Sequence, residues 1–250
     1  MAKSGTIYCG VGGWTFEPWR GVFYPDDLPQ KRELEYASRA FTSIEINGTY
    51  YSTFKRDSWE RWAAETPDGF VFSVKASRFS TNRKVLSGPE SKQSMEKFLG
   101  QGMDALGDKL GPINWQFAGT KKFDPEDFGG FLQMLPKQLK KLPLRHAIEV
   151  RNTSFCCPEL YDLARRHNVA IVYAKDEDFP EIDEPTADFT YARMMSTSET
   201  LKDGIGPKAL KHWAEKTKAW AKRGDVFAYF ISGAKVKNPA AAQALIKAVK

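Results

Sequence analysis

Short apolar runs alternate with amphipathic runs along the whole chain. Eight apolar runs predict β-strands, over residues 6–9, 43–46, 70–75, 113–117, 147–150, 170–175, 189–193 and 226–230. Between them, apolar residues recur at i, i+3, i+4 and i+7 or the composition favours a helix. About seven helices are predicted in this way, over residues 34–41, 58–64, 91–106, 128–135, 159–167, 208–222 and 241–248. This alternation is typical of β-α units around a parallel sheet.

One connection departs from the pattern. Residues 176–188 are rich in acid and proline and show no helical period, which predicts an irregular sixth connection. With no linker or repeat in the sequence, we predict a single (β/α)8 TIM-like barrel domain over residues 1–250. An open doubly wound sheet is the alternative architecture.

Two predicted strands carry a carboxylate where a core strand should be apolar. Glu45 lies between Ile44 and Ile46, and Glu149 follows Ile148 in the same way. Because side chains alternate along a strand, isoleucines that face the helices require both acids to face the barrel lumen. Both acids come late in their strands, and the C-terminal mouth of such a barrel is where catalytic residues lie.

Other polar residues fall at the same level of their strands and would join the two acids. We expect Glu45, Glu149, Lys75 and Asp176 to be catalytic, through acid and base chemistry of the carboxylates. Candidate ligand-binding residues are Asn47, Tyr51, Arg78, Gln116, Arg151, Asn152, Tyr191, Arg193 and Trp14. The alternative is that the acids and cations form only a buried salt-bridge network that specifies packing.

The remaining motifs favour neither a cofactor nor a metal. Residues 10–13, Gly-Val-Gly-Gly, resemble part of a dinucleotide fingerprint, but Trp14 and Phe16 follow where a helix should begin. The aromatic residues of this loop could stack on a sugar or base, although packing on the barrel is the commoner outcome. No histidine or cysteine spacing suits zinc, and a hard-ion site on Glu45, Glu149 and Asp176 would compete with the nearby cations.

The net charge of +6 permits an anionic partner without establishing one. One basic cluster, at residues 137–145, precedes a strand and should lie at the barrel bottom, and another, at 208–223, forms a solvated helix face. Nucleic acid is therefore not the favoured partner, while Arg78, Arg83 and Lys84 could guide a phosphate to the mouth. No apolar run would span a bilayer and no secretory signal is visible, so a cytoplasmic location is expected. The sequence gives no oligomeric state.

Several stretches of the chain resemble the YecE-like proteins, which share a domain of unknown function, number seventy-two. The resemblance covers nearly the whole chain and rests on G-G-W-x(4)-W-x-G-x-F-Y-P at 12–25, F-T-S-I-E-I-N-G-T-Y-Y at 41–51, F-V-F-S-V-K at 70–75, K-L-G-P at 109–112, A-I-E-V-R at 147–151 and F-T-Y-A-R at 189–193. It implies a TIM-like barrel and brings no established activity.

The chain also departs from the family pattern. Asn82, Asn152 and Met195 stand where the family typically has histidine, which removes proton shuttles that work near neutral pH. The leading hypothesis is a metal-independent enzyme, a hydrolase or isomerase, acting on a small anionic ligand with a phosphate or carboxylate group. The alternatives are a nucleic-acid-binding or processing protein, by analogy with barrel endonucleases, and a non-catalytic ligand-binding barrel.

Overall fold

The computed structural model describes residues 4–250, in which eight parallel strand positions form a barrel. The order of hydrogen-bonded neighbours follows the chain, and all neighbouring barrel strands are parallel. The strands are β1 (Ile7–Gly12), β2 (Ser43–Ile46), β3 (Val71–Lys75), β4 (Leu110–Gln116), β5 (His146–Glu149), β6 (Val169–Ile171 and Tyr173–Lys175), β7 (Phe189–Met194) and β8 (Asp225–Phe230). The predicted (β/α)8 architecture is confirmed.

The sixth strand is interrupted at Val172, so nine strand segments occupy eight positions. Its first segment pairs with β5 and its second with β7, while β8 pairs with β1. These two segments are the edge strands of the hydrogen-bonded sheet. At Val172, between them, the hydrogen-bonding partner of the sixth strand changes from β5 to β7. The ring is nearly closed around the lumen.

Helices cover the outside of the barrel, as the apolar spacing predicts. They are α1 (Glu33–Ala40), α2 (Arg56–Glu65), α3 (Arg78–Thr81), α4 (Pro89–Leu99), α5 (Pro125–Met134), α6 (Pro158–His167), α7 (Pro207–Ala221) and α8 (Asn238–Val249). Short 3-10 helices occupy Glu17–Trp19, Gln30–Arg32, Gly48–Tyr50, Met103–Lys109, Thr153–Phe155 and Lys235–Lys237, and a small hairpin pairs Gln138–Leu139 with Leu142–Pro143. No helix within residues 4–250 is both long and apolar enough to cross a bilayer.

Two details differ from the predicted helices. The helix predicted over residues 91–106 ends at Leu99, because Gly102 adopts a φ of 101° that a helix cannot contain. The four-residue helix α3 was not predicted, since it is too short to show a period. The connection 176–188 contains neither helix nor strand, as predicted, and is held by Thr186, whose hydroxyl binds backbone atoms of Val169 and Ile171.

Buried apolar side chains separate into two layers according to strand parity. The outer layer packs strands against helices and includes Cys9, Val11, Ile44, Ile46, Phe72, Val74, Trp115 and Ile148. The inner layer fills the lumen and includes Val71, Ala147, Phe189, Tyr191, Phe227 and Tyr229. The alternation that was predicted from Glu45 and Glu149 therefore holds around the barrel, and a polar layer lies above the apolar filling of the lumen.

His146 begins β5 at the bottom of the barrel and is buried in the outer layer. The Trp115 Nε1–H donates to its Nδ1 at 3.1 Å, so the proton of the neutral ring lies on Nε2 and binds the carbonyl oxygen of Pro136 at 2.7 Å. Burial lowers the pKa of His146 to about 4. The folded protein therefore holds this imidazole in its neutral form.

The buried imidazole predicts a pH-dependent stability. As pH falls below about 6.5, the unfolded chain takes up a proton on this histidine before the folded chain does, so folding stability is lost between pH 6.5 and 4. We expect the free energy of unfolding to fall by roughly 2 to 3 kcal/mol between pH 7 and pH 4.5 from this group. Urea unfolding of His146→Gln should show a flatter pH dependence. His212→Gln, on the exposed face of α7, should retain the wild-type slope, and equal slopes for all three proteins would contradict the prediction.

Candidate functional site

Glu45 and Glu149 meet in the lumen at the C-terminal ends of their strands. Both carboxylates are fully buried. Arg193, from β7, joins them: its Nη2 lies 3.2 Å from Glu45 Oε1 and its Nη1 lies 2.5 Å from Glu149 Oε2. The Nδ2 of Asn114 lies 3.4 and 3.2 Å from the Oε2 atoms of the two acids. Residues from four strands, β2, β4, β5 and β7, thus form one polar network.

Arg151 extends this network toward the open end of the barrel. Its Nε and Nη2 donate to Glu149 Oε1 at 2.8 and 2.6 Å, and the same Nη2 donates to Gln116 Oε1 at 2.9 Å. The side chain keeps 22% of its surface exposed, and its guanidinium lies 4.2 Å from the centre of the Phe179 ring. Phe179 belongs to the irregular sixth connection, so this loop orders the outermost cation of the network.

Glu149 is held in its ionised form by its neighbours. Burial alone would raise the pKa of this carboxyl, but the charges of Arg193, Arg151 and Lys75 outweigh it and lower the pKa to about 2. A carboxyl with this pKa is not a proton donor at neutral pH and is a weak base. Its oxygens are engaged by the guanidinium groups of Arg151 and Arg193, so the carboxylate fixes the positions of both cations.

Glu45 shares Arg193 and Asn114 with Glu149 and has Tyr191 as a further partner. The hydroxyl of Tyr191 donates to its Oε2, and burial together with the charge of Glu45 raises the pKa of Tyr191 well above its usual value. Tyr191 therefore stays protonated and remains a hydrogen-bond donor at physiological pH. Below this pair, the Tyr229 hydroxyl lies 2.7 Å from Ser43 Oγ and 2.6 Å from Ser73 Oγ, which forms a polar floor under the charged layer.

Sequence reasoning missed part of this site. Asn114, Ser43, Ser73 and Tyr229 all face the lumen, and none was predicted to do so. Ser43, Ser73 and Asn114 each lie two residues before a predicted site residue on the same strand, whereas no residue of β8 was predicted to face inward. Extending the parity argument to uncharged polar side chains would have found the first three.

Lys75, at the end of β3, differs from the other charged groups of the network. Its ammonium makes no hydrogen bond or ion pair within residues 4–250, and its contact is with the ring of Tyr50, 4.4 Å from Nζ to the ring centre. Burial and the charge of Arg193 lower the pKa of Lys75 to about 8, against the opposing effect of Glu45 and Glu149. The residue is 9% exposed, and it ends β3 on the mouth side of the lumen.

Two further buried polar atoms of the network lack protein partners. The Nε of Arg193 and the Oδ1 of Asn114 make no hydrogen bond among the residues that the structure describes. One is a donor and the other an acceptor, and together with the Lys75 amine they leave hydrogen-bonding capacity that the protein does not use.

Three of the predicted site residues lie near the mouth with other partners. Asn47, just past β2, is half-buried and its Nδ2 lies 3.5 Å from the backbone oxygen of Glu45. Asn152 bridges two loops by donating to the Gly119 carbonyl and by accepting from the Ser154 amide. Asp176 accepts from the backbone amide of Asp178 and has no contact with the acids of the lumen.

The other three face away from the charged lumen. Trp14 packs edge-on against Trp62 of α2, with ring centres 5.2 Å apart. Tyr51 is 64% exposed, and the guanidinium of Arg78 lies 5.7 Å from the centre of its ring. These residues follow strand ends, where side-chain alternation no longer fixes direction. The structure thus brings together Glu45, Glu149, Lys75, Gln116, Arg151, Tyr191 and Arg193, and it leaves Trp14, Tyr51, Arg78 and Asp176 outside their network.

The aromatic loop after β1 packs mainly on its own barrel. Trp19 and Tyr24 are buried, the Trp19 Nε1 donates to the Lys235 carbonyl at 2.9 Å, and the Tyr24 hydroxyl donates to the Trp14 carbonyl. Gly13, directly after β1, has a φ of 72°, which glycine adopts without strain. A stacking role in ligand binding has no support from these contacts.

In the part of the chain that the structure describes, no metal-ion site is formed, and part of the basic cluster at 137–145 is paired with acids. Within residues 4–250, no group of three or more histidine, cysteine, aspartate or glutamate side chains is arranged to hold a metal ion. Of the basic cluster at 137–145, Lys140 pairs with Asp104 and Arg145 pairs with Asp225. Arg145 precedes β5 and Asp225 begins β8, so this part of the cluster lies at the bottom of the barrel, opposite the mouth.

Comparison with known proteins places the chain in a family. Residues 8–250 match the family model described as "Protein of unknown function DUF72". The chain is 26% identical over 159 residues to the UPF0759 protein YunF of Bacillus subtilis, a match that covers 62% of this chain and 54% of that protein's length. The predicted resemblance is confirmed.

Solved structures agree in fold. A DUF72 family protein from Thermotoga maritima superposes with a TM-score of 0.76 at 23% identity, covering 97% of this chain and 98% of the other. A DUF72 family protein from Enterococcus faecalis gives a TM-score of 0.72 at 15% identity, covering 97% of both chains. At these identities the likeness is one of fold. From the family match over nearly its whole length, the chain belongs to the DUF72 family.

Proposed function

We propose that the C-terminal mouth binds a small anionic ligand bearing a phosphate or carboxylate group, and that the protein is a metal-independent enzyme acting on that ligand. The observation that carries this proposal is the Lys75 ammonium, which has no acceptor within residues 4–250 although two carboxylates lie in the same lumen. A network that served packing alone would be expected to pair its cations, because an unpaired buried charge is costly.

In this proposal Arg193 and Arg151 are held in place by the acids. Glu149 binds both guanidinium groups, and Glu45 binds the first, so their positions are fixed before a ligand arrives. Arg151 keeps 22% of its side chain exposed and Lys75 ends β3 on the mouth side of the lumen, so these two groups would contact the anion. Preorganised cations in a site with little water stabilise an anion more strongly than they would in bulk solvent.

Lys75 is also the best-placed group for proton transfer. With a pKa of about 8, part of its amine is neutral near pH 7 and the rest is protonated. It can therefore both accept and donate a proton near neutral pH, whereas Glu149 stays ionised and is a weak base. Hydrolysis and isomerisation both need such a group, and Lys75 would supply the acid-base function that Asn82, Asn152 and Met195 do not provide.

Sulfate is a suitable probe for the anion site, because its charge does not change between about pH 6 and pH 10. We expect wild-type protein to bind sulfate, measured by calorimetric titration at low salt, with an affinity that falls as pH rises through about 8, because the Lys75 ammonium loses its charge there. Lys75→Met should weaken binding by at least about tenfold.

Lys175→Met is the matched control, since Lys175 also ends a barrel strand but is exposed and paired with Glu181. It should bind sulfate like the wild type. Equal sulfate affinities for all three proteins, or no sulfate binding at low salt, would overturn the proposed anion site. If binding depends on Lys75 and no turnover is found on phosphorylated or carboxylated compounds, the non-catalytic ligand-binding barrel replaces the enzyme.

A further inference from the structure

A groove lies beside the mouth, between the β2–α2 loop and helix α4. It has a volume of about 770 Å³, within the range of pockets that hold small organic ligands. Residues 51–53, Ser77, Phe79 and Arg83 line one side, and Gln93, Ser94, Lys97 and Phe98 of α4 line the other. It is separate from the polar network in the lumen, and Tyr50 lies between Lys75 and Tyr51.

The groove displays aromatic rings that a folded protein would ordinarily bury. Tyr51 is 64% exposed and Phe79 is 57% exposed, the two highest values among the large aromatic side chains that the structure describes. Arg78 lies between them, its guanidinium 5.7 Å from the centre of the Tyr51 ring and 5.3 Å from that of Phe79. Rings held in this way beside a cation offer flat faces on which a second ring can stack.

All charged side chains that line the groove are positive. Its lining contains two cations, Arg83 and Lys97, and no acid. Arg83 already has partners within the protein, because it forms an ion pair with Glu90 at 2.7 Å and donates a hydrogen bond to Ser94. Lys97 makes no hydrogen bond or ion pair within the described part of the chain and is exposed on α4. One cation therefore remains to neutralise an anion at this side of the groove.

Hydroxyl groups complete the lining. Ser52 and Thr53 lie next to Tyr51, and neither side chain makes a hydrogen bond among residues 4–250. Free hydroxyls can donate to or accept from the hydroxyls of a sugar. Exposed rings, open hydroxyls and an unpaired ammonium therefore occur together in a space of ligand size.

From this combination we infer that the groove is a binding site for a free nucleoside monophosphate. The base would stack on the Tyr51 and Phe79 faces, the ribose would meet the hydroxyls of residues 52 and 53, and the phosphate would pair with Lys97. A sugar phosphate would leave the two rings unused, and a free nucleoside would leave Lys97 unpaired. This site is distinct from the anion site at the mouth and does not depend on it.

The test uses AMP, with adenosine and ribose 5-phosphate as matched probes, by calorimetric titration of the full chain. We expect AMP to bind at least about tenfold more tightly than either probe. Tyr51→Ala and Phe79→Ala should each weaken AMP binding by about five- to tenfold or more, in line with the contribution of stacking. Lys97→Met should remove the preference for AMP over adenosine.

Lys92→Met is the control for Lys97→Met, because Lys92 is exposed on the same helix and does not line the groove. It should leave AMP affinity unchanged. Absence of AMP binding, or equal AMP affinities in the wild type and the two aromatic variants, would overturn the inference. A single-stranded oligonucleotide that binds far more tightly than AMP, with a steep salt dependence, would replace the mononucleotide with nucleic acid.

The proposed anion site at the mouth and the proposed nucleotide site in the groove can each be refuted without refuting the other. The mouth is probed with sulfate and Lys75→Met, whereas the groove is probed by the difference between AMP and ribose 5-phosphate in the aromatic variants. Sulfate binding without a preference for AMP would support the mouth site alone. A preference for AMP that is lost in Phe79→Ala would support the groove whatever the sulfate result.

Discussion

Replacing Arg193 with methionine is expected to lower the free energy of unfolding by about 3 to 5 kcal/mol. The substitution removes the cation that lies between Glu45 and Glu149, both fully buried, and leaves their charges partly uncompensated in a medium of low polarity. Methionine keeps most of the side-chain volume, so the loss reports charge pairing more than packing. Urea unfolding at pH 7 measures it.

Arg165→Met provides the comparison, since Arg165 also forms two ion pairs, with Asp162 and Glu184, but on the surface. Exposed pairs of this kind contribute less than about 1 kcal/mol. The Arg193 variant should also raise the pKa of Glu149, which carbon-13 NMR of the carboxyl group can follow. A loss of stability no larger than that of Arg165→Met would contradict the buried network as described.

Gly10→Ala should be as damaging, for a steric reason. Gly10 lies in β1 opposite Ser43 of β2, and a Cβ atom placed on it would lie 1.8 Å from the Ser43 carbonyl oxygen. No side chain can rotate away from this overlap, because the clashing atom belongs to the backbone. We expect the strands to separate locally and the free energy of unfolding to fall by about 3 kcal/mol or more.

The same change should disturb the site, since Glu45 follows Ser43 at the same parity on β2. Sulfate affinity of any folded Gly10→Ala protein is expected to fall together with its stability. Gly119→Ala is the control: the nearest atom to an added Cβ is 3.7 Å away and the residue is exposed in a loop. Its stability should change by less than about 0.5 kcal/mol. A Gly10→Ala protein as stable as this control would show that the strands can accommodate the methyl group.

Much of the barrel follows from local pattern. Every strand that was predicted from an apolar run is present, and the parity of Glu45 and Glu149 is as expected, because alternation along a strand is set by backbone geometry alone. The helix predicted over residues 91–106 was too long because the sequence pattern continued past Gly102, whose positive φ ended it.

The site was only partly predictable. Lumen residues such as Arg193 were predicted because side-chain alternation, and a position near the C-terminal end of the strand, can be determined for every strand of the barrel. Tyr51, Arg78 and Trp14 were placed in the same group, although the structure directs them to a groove and to helix α2. These residues lie beyond strand ends, in loops. The direction of a loop side chain depends on the local backbone conformation, and the sequence has no regular alternation there from which it could be predicted.

The sequence by itself determined that two buried strands carry inward-facing acids near the same end of a barrel, because alternation and strand polarity are local properties. Only the tertiary structure decided which partner each charge takes. Lys75 and Arg193 are equivalent in the sequence pattern, yet Arg193 is bound by both acids while Lys75 rests on Tyr50. Which cation contacts which carboxylate depends on a few ångströms of stagger between strands that are distant in the sequence. The resulting distances between charged groups set the pKa of each group and decide which hydrogen-bonding atoms are left for a ligand.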